Sequence, residues 1–215
     1  MSIPPKVTLV ILAGGASSRL GSPKPLVPLA GKPMILWVLD SLNGLCDEVL
    51  VAARGEHLEL LLRVIRGRAR LVLDEAWQYQ CPLSGVYTGL REAASELVVT
   101  APCDTPFITR EAYTLLIEAL MEGAEAAAFR WGGGYLEPLI AVYKRSVALE
   151  KARSLLERGV RRVSRLLAEL DTVYVPAESV EGYDRVFLNV NTPEDLSLAE
   201  ALLSQSLSGM RGGSR

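Results

Sequence analysis

Short apolar runs alternate with stretches of helical periodicity up to Met121, and this alternation restricts the fold more than any other feature. Val7 to Leu12, Glu48 to Ala52, Ala69 to Leu73 and Leu97 to Ala101 are too short for helices and too continuously apolar for a sheet wet on one face. They read as strands buried on both sides. Pro33 to Leu42, Glu56 to Ile65, Leu83 to Ala94 and Thr109 to Met121 carry the helical pattern. Pro33 suits a first helical turn and Thr109 an N-cap. This order predicts an α/β chain, a Rossmann-like three-layer αβα sandwich around a mostly parallel central sheet. In such sheets ligands bind beyond the carboxyl ends of the strands. Gly14-Gly15, Asp74 and Asp104 all fall at such ends, so one cleft should gather them.

The second half is less regular. Glu125 to Phe129 and Glu137 to Tyr143 read as paired strands around the turn Gly132-Gly133-Gly134. Ser146 to Leu156 and Val163 to Leu170 read as helices separated by Gly159. Val186 to Asn191 reads as a final strand. Thr192 then caps a last helix whose first turn holds Pro193, Glu194 and Asp195. Residues 204–215, rich in serine, glycine and arginine, are expected to form a flexible tail.

The turn after the first strand carries the chemistry: Leu12-Ala13-Gly14-Gly15-Ala16-Ser17-Ser18-Arg19-Leu20-Gly21-Ser22-Pro23-Lys24-Pro25. Adjacent glycines let backbone N–H groups approach phosphate oxygens. Arg19 and Lys24 supply the positive charge those oxygens require. The dinucleotide pattern G-x-G-x-x-G is absent, and Gly21 is not followed by the Lys-Ser/Thr of a Walker A loop. Asp104 follows a buried strand and offers the hard oxygen that Mg²⁺ prefers. Asn189 and Asn191, two apart in the expected strand, would share one face and suit a metal or acceptor contact. Asp74 is a candidate acceptor for guanine N–H groups or for ribose, with turn formation as the alternative.

Composition narrows the partners. A net charge of −2 over 215 residues argues against a nucleic-acid surface. No apolar run approaches the ~18 residues of a membrane span. Met1-Ser2-Ile3-Pro4-Pro5 lacks a leader pattern, which predicts a cytoplasmic chain. Cys46, Cys81 and Cys103 are odd in number and widely spaced, suiting neither a disulfide framework nor a zinc site. His57 is the sole histidine and has charged neighbours, so histidine-dependent base catalysis is not expected.

The glycine loop, Cys81-Pro82-Leu83-Ser84-Gly85, Pro102-Cys103-Asp104-Thr105-Pro106-Phe107 and Asn189-Val190-Asn191-Thr192-Pro193 occur in this order. Together they resemble the molybdenum cofactor guanylyltransferases of the nucleotidyltransferase superfamily over about residues 7–203. The resemblance implies a single nucleotidyltransferase domain, with a GTP-binding half to about residue 124 and an acceptor-binding half from about 125 to 203. It implies transfer of GMP from GTP to the phosphate of molybdopterin, with release of pyrophosphate. It implies GTP contacts at Leu12, Ala13, Gly14, Lys24, Asp74 and Asp104, with Mg²⁺ on Asp104; the paired glycines add Gly15 as a candidate GTP contact, and the charges of the loop make Arg19, Lys24 and Asp104 the candidate catalytic residues. Further partners would be molybdenum-cofactor delivery proteins or apo-molybdoenzymes. Two positions depart from the family: Pro23 stands where it usually has Asp before the lysine, and Ala52 where it often has Asn, with Arg54 nearby. Three alternatives stay open: a CTP-dependent relative acting on molybdopterin, an enzyme acting on a sugar or cobinamide phosphate, and a non-catalytic nucleotide-binding protein.

Overall fold

The computed structural model describes residues 6–14, 20–74 and 81–212. Strand β1 (Val7–Leu12) lies near the centre of a seven-stranded sheet. A small antiparallel ribbon follows, β2 (Pro28–Leu29) and β3 (Lys32–Pro33), and leads into helix α1 (Met34–Ser41). Next come β4 (Glu48–Ala53), α2 (Leu58–Ile65), β5 (Arg70–Leu73), α3 (Pro82–Glu92), β6 (Leu97–Pro102) and α4 (Arg110–Met121). The second half contributes β7 (Ala126–Arg130), β8 (Leu136–Lys144), α5 (Arg145–Glu157), α6 (Val163–Glu169), β9 (Thr172–Pro176), α7 (Tyr183–Val186) and α8 (Pro193–Gly212).

The strand order is β5-β4-β1-β6-β8-β7-β9. Strands β5, β4, β1 and β6 are mutually parallel, as the helical crossovers between them require. Strand β8 runs antiparallel to both β6 and β7, and β9 is parallel to β7. The sheet is therefore mostly parallel with one reversed strand. That strand follows directly from the short glycine turn after β7, which cannot make a parallel crossover.

Alternation along the strands feeds two cores. Leu9 and Ile11 pack with Ile35, Val38, Leu61, Tyr113 and Leu116 from α1, α2 and α4. Val10, Leu50 and Val98 pack on the other face with Val86, Leu90, Ala152, Leu155 and Leu166 from α3, α5 and α6. Both faces of the sheet are thus covered, as the continuous apolar runs predict. A smaller cluster of Val27, Leu29, Met34, Phe107, Val190 and Ala199 seats α8 against the ribbon.

Helices and strands of the first half fall within a residue or two of the expected bounds. Thr109 caps α4, its hydroxyl accepting from the Ala112 N–H at 3.3 Å. Pro33 stands just before α1 rather than inside it. The final strand expected over Val186–Asn191 does not form. Its start is the last residue of α7, and the remainder is irregular, held by the Val190 N–H donating to the Asp104 carbonyl at 2.8 Å. Val186, Phe187 and Val190 are all buried, a spacing that strand alternation does not give. The missing strand is β9, Thr-Val-Tyr-Val-Pro, whose β-branched and aromatic composition is a strand signal in its own right. Helix α8 continues through residues 204–212, where composition predicts a tail.

Candidate active site

The parallel strands place the site. Leu12 pairs with Ala52 on one side and Pro102 on the other, and Ala53 pairs with Leu73. Four strands therefore end level with one another. Within two residues of those ends stand Gly14, Arg54, Asp74 and Asp104, side by side across the sheet though far apart in sequence. They line a cleft of about 370 Å³ together with Leu12, Lys24, Ala52, Cys81, Pro82, Gly85, Pro102, Cys103 and Leu139.

Lys24 and Asp104 form the charged end of the cleft. Lys24 Nζ donates to Asp104 Oδ2 at 2.6 Å and also to Asn191 Oδ1. Neither side chain is free in solvent: the lysine is 20% exposed and the aspartate 14%. The turn presenting Lys24 is stiff. It is a single 3-10 turn, Lys24–Leu26, preceded by Pro23 and containing the buried Pro25, and closed by the Leu26 N–H donating to the Pro23 carbonyl at 2.8 Å. Proline fixes φ at both positions. The departure at Pro23 thus yields a preset backbone around the lysine.

Asp74 forms the other end. It is buried, and Ser84 Oγ and Thr88 Oγ1 donate to its Oδ1 at 2.6 and 3.1 Å. Ser84 and Thr88 are four apart on α3, hence on one helix face. Oδ2 is turned toward the glycines: a Cβ added at Gly14 would meet it at 3.5 Å, and one at Gly85 at 3.6 Å. Small residues stand on both sides of that oxygen. Asp74 is therefore a buried acceptor oriented by two hydroxyls.

The two asparagines separate. Asn191 faces Lys24, and its backbone N–H donates to Asp195 Oδ2 at 2.9 Å. Asn189 turns inward. Its Oδ1 accepts from Thr105 Oγ1 at 2.9 Å, while its amide donates to the Phe187 carbonyl at 3.4 Å and to Glu137. The shared face expected for the pair depended on a strand that is not there. Glu137 is itself buried and accepts from Trp131 Nε1 at 3.0 Å. Desolvation raises its pKa above the usual carboxylate value.

Leu12, Gly14, Lys24, Asp74 and Asp104 meet in the cleft as expected. Ala13 does not line it: its side chain is buried and its N–H is committed to the Ala52 carbonyl at 2.8 Å, so that amide is not available to phosphate. Gly15, Ala16, Ser17, Ser18 and Arg19 lie outside the described residues. Cys103 is buried, its thiol pushed well up by desolvation and by the charge of Asp104. His57 is not among the residues lining the cleft; it sits 3.4 Å from Glu56. Sequence reasoning missed the two hydroxyls on Asp74, although the Ser84/Thr88 spacing on a helix held the signal. Among the described residues, no helix is long and apolar enough to cross a membrane.

Comparison with known proteins agrees with this geometry. Residues 9–173 match the family described as the MobA-like NTP transferase domain. A protein of Halalkalibacterium halodurans, described as a probable molybdenum cofactor guanylyltransferase, is 36% identical over 87% of this chain and 94% of its own length. The molybdenum cofactor guanylyltransferase of Vibrio atlanticus is 31% identical over 92% of this chain and 97% of its own. The crystal structure of molybdopterin-guanine dinucleotide biosynthesis protein A from Archaeoglobus fulgidus superposes with a TM-score of 0.78 at 30% identity, covering 92% of this chain and 99% of that one. A 4-diphosphocytidyl-2C-methyl-D-erythritol synthase from Anaerococcus prevotii shares the fold at a TM-score of 0.72 and 17% identity, over 93% of this chain and 96% of that one. The chain belongs to the MobA-like NTP transferase family.

Proposed function

We propose that this chain transfers GMP from GTP to the terminal phosphate of molybdopterin, releasing pyrophosphate and forming the guanine dinucleotide cofactor. One observation carries the reading: a single cleft has a lysine–aspartate pair at one end and a buried carboxylate, held by two hydroxyls, at the other. The first end suits a triphosphate and the second a base with N–H donors. The family relationship, and the names of relatives alike over nearly their whole length, support guanine and molybdopterin as the two substrates.

The attacking group is a phosphate monoester, whose second pKa lies near ~6. It is largely dianionic at neutral pH and needs no protein base, in keeping with a cleft that His57 does not line. What it needs is alignment and relief from charge repulsion. Lys24 supplies a fixed cation to the nucleotide phosphates, held in place by Asn191 and by the two prolines of its turn. Asp74 orients the base end. Arg19 would add a second cation at the leaving pyrophosphate.

The cleft also fits Mg²⁺. Among the described residues no cluster of three or more acidic, histidine or cysteine ligands exists. Mg²⁺ instead prefers one or two carboxylates plus substrate phosphates. Asp104, with the Asn191 carbonyl oxygen close by, would hold it, and bound there the ion would neutralise charge on the reacting phosphates.

The test is pyrophosphate release with molybdopterin and Mg²⁺, supplying GTP, CTP, ATP and UTP separately. Release with GTP alone is expected. Release with CTP alone would replace this reading with cytidylyl transfer. No release with any nucleotide would overturn molybdopterin as the acceptor and turn the search to sugar and cobinamide phosphates.

A further inference from the structure

The cleft contains a cation that phosphoryl transfer leaves unused. Arg54 stands one residue past β4, at the base end and not the Lys24 end. Its stem runs beside Gly14: a Cβ there would lie 3.7 Å from Arg54 Cγ and 3.5 Å from Asp74 Oδ2. The arginine stem and a carboxylate therefore flank the same glycine. The two are not spent on each other. Asp74 is satisfied by Ser84 and Thr88, while Arg54 Nε lies 3.3 Å from Glu56 Oε1 as an ion pair without hydrogen-bond geometry. Among the described residues Glu56 is the only carboxylate paired with Arg54. Ala52, on the same strand end, offers the cleft only a methyl group.

The chemistry of the bases gives this juxtaposition a meaning. Along its Watson–Crick edge guanine sets the O6 acceptor beside the N1–H and 2-amino donors. A cation next to an anion matches that order. Adenine and cytosine present an amino donor where guanine has O6 and a ring-nitrogen acceptor where it has N1–H, so each meets the wrong charge at both places. Uracil shares the acceptor–donor pair but lacks the 2-amino group.

We propose that Arg54 is a guanine-reading residue, donating to O6 while Asp74 Oδ2 accepts from the N–H donors of the same base. The proposal rests on the guanylyl-transfer reading for its nucleotide. It assigns to an arginine beyond the strand end the selectivity that Ala52 cannot supply. A fork of N–H donors suits a carbonyl oxygen better than a point ammonium does.

The test is equilibrium binding of GTP, 6-thio-GTP and ITP to the full-length protein and to Arg54→Met and Arg54→Lys, with no acceptor present. 6-Thio-GTP keeps both N–H donors but replaces O6 with a weakly accepting sulfur. ITP keeps O6 and loses the 2-amino group. Wild-type protein is expected to bind GTP at least about fivefold more tightly than 6-thio-GTP. Arg54→Met, which preserves the stem beside Gly14, should weaken GTP about tenfold or more, since a hydrogen bond to a charged group is at stake. It should also bring the GTP and 6-thio-GTP affinities within about twofold, leaving the GTP-to-ITP ratio unchanged. Arg54→Lys should fall between.

Equal weakening of GTP and 6-thio-GTP would overturn the proposal, placing Arg54 at the triphosphate or in the fold. So would wild-type protein that does not distinguish the two, or an Arg54→Met variant that binds GTP normally. Protein that binds GTP with this selectivity, yet releases no pyrophosphate with molybdopterin, would sink the transfer reading and leave Arg54 standing. Binding of CTP in place of GTP would sink both.

Discussion

Lys24 is the residue on which the site turns. Its ammonium joins the β6 end, through Asp104, to the segment before α8, through Asn191. Removing it takes away the one described cation at the charged end of the cleft and leaves Asp104 without its partner. A preorganised donor at a reacting centre is worth ~3 kcal/mol, or about a hundredfold in rate. Lys24→Ala should therefore lower turnover at least about a hundredfold while circular dichroism stays that of wild type. Normal turnover in folded Lys24→Ala would rule out the role. This residue was legible in the sequence because the motif fixes its spacing from the glycines. The inward turn of Asn189 was not, since it depends on Thr105 and Glu137, which no local pattern ties to it. The exclusion of the Ala13 amide follows from β4 pairing, also a non-local fact.

Two contacts decide how the elements lock. Helix α3 crosses the sheet at Gly89, where a Cβ would lie 2.4 Å from Val10 Cγ1. Val10 is central in β1 and fully buried, so neither group has room to retreat. Gly89→Ala should cost about 1–3 kcal/mol by overpacking, seen as a lowered urea midpoint. Adding Val10→Ala should recover part of the loss, because the two side chains would no longer compete for one volume. Simple additivity of the two losses would show that the clash is not the cause. At the opposite end of the sheet Glu48 binds several elements at once. Its carboxylate accepts from Thr8 Oγ1 at 2.9 Å, the Ala94 N–H at 2.9 Å and Arg70 at 3.1 Å. Burial by itself would raise its pKa, but the Ala94 amide, the Thr8 hydroxyl and Arg70 together hold it below the ordinary 4.5. A lowered pKa means stability that is fully present above the unfolded value and lost as pH falls through the folded one. Glu48→Gln should cost about 1–3 kcal/mol at pH 7, and the gap to wild type should close as pH drops below about 4.5. A gap independent of pH would show that charge plays no part. At this scale the sequence was readable wherever period and length agreed, as in β1, β4 and α4. It failed at residues 186–191, where buried Val186, Phe187 and Val190 serve a loop pinned to Asp104. Apolar composition alone does not separate such a segment from a strand.

At the scale of the whole molecule the question is how the residues before and after about 124 are joined. One seven-stranded sheet takes strands from both halves. Strand β8 comes from the second half yet hydrogen-bonds β6 of the first, with Leu97 opposite Lys144 and Val99 opposite Val142. Helices α5 and α6 pack with α3 in one continuous core, and Val190 of the second half donates to the Asp104 carbonyl. Cutting between the halves would bare one long edge of β6 and strip α3 of its neighbours, so neither part keeps a closed core. The alternating strands and helices made the first half legible because each parallel strand needs its own crossover. The insertion of β8 between β6 and β7 was hidden, since a hairpin's sequence does not state which edge it joins. Unfolding should accordingly be a single transition, although on the proposed function GTP would touch mainly the first half. Ligand at about a hundred times its dissociation constant adds ~2.7 kcal/mol to the folded state. For a chain of this size that corresponds to a rise of roughly 5–10 °C in Tm. Heating the protein with GTP and Mg²⁺ should move the whole transition upward by that amount, whether followed by circular dichroism or calorimetry. A scan that splits, one part rising with GTP and the other staying put, would mean that β8 does not couple the halves. It would then make the second half a unit able to open while the nucleotide stays bound.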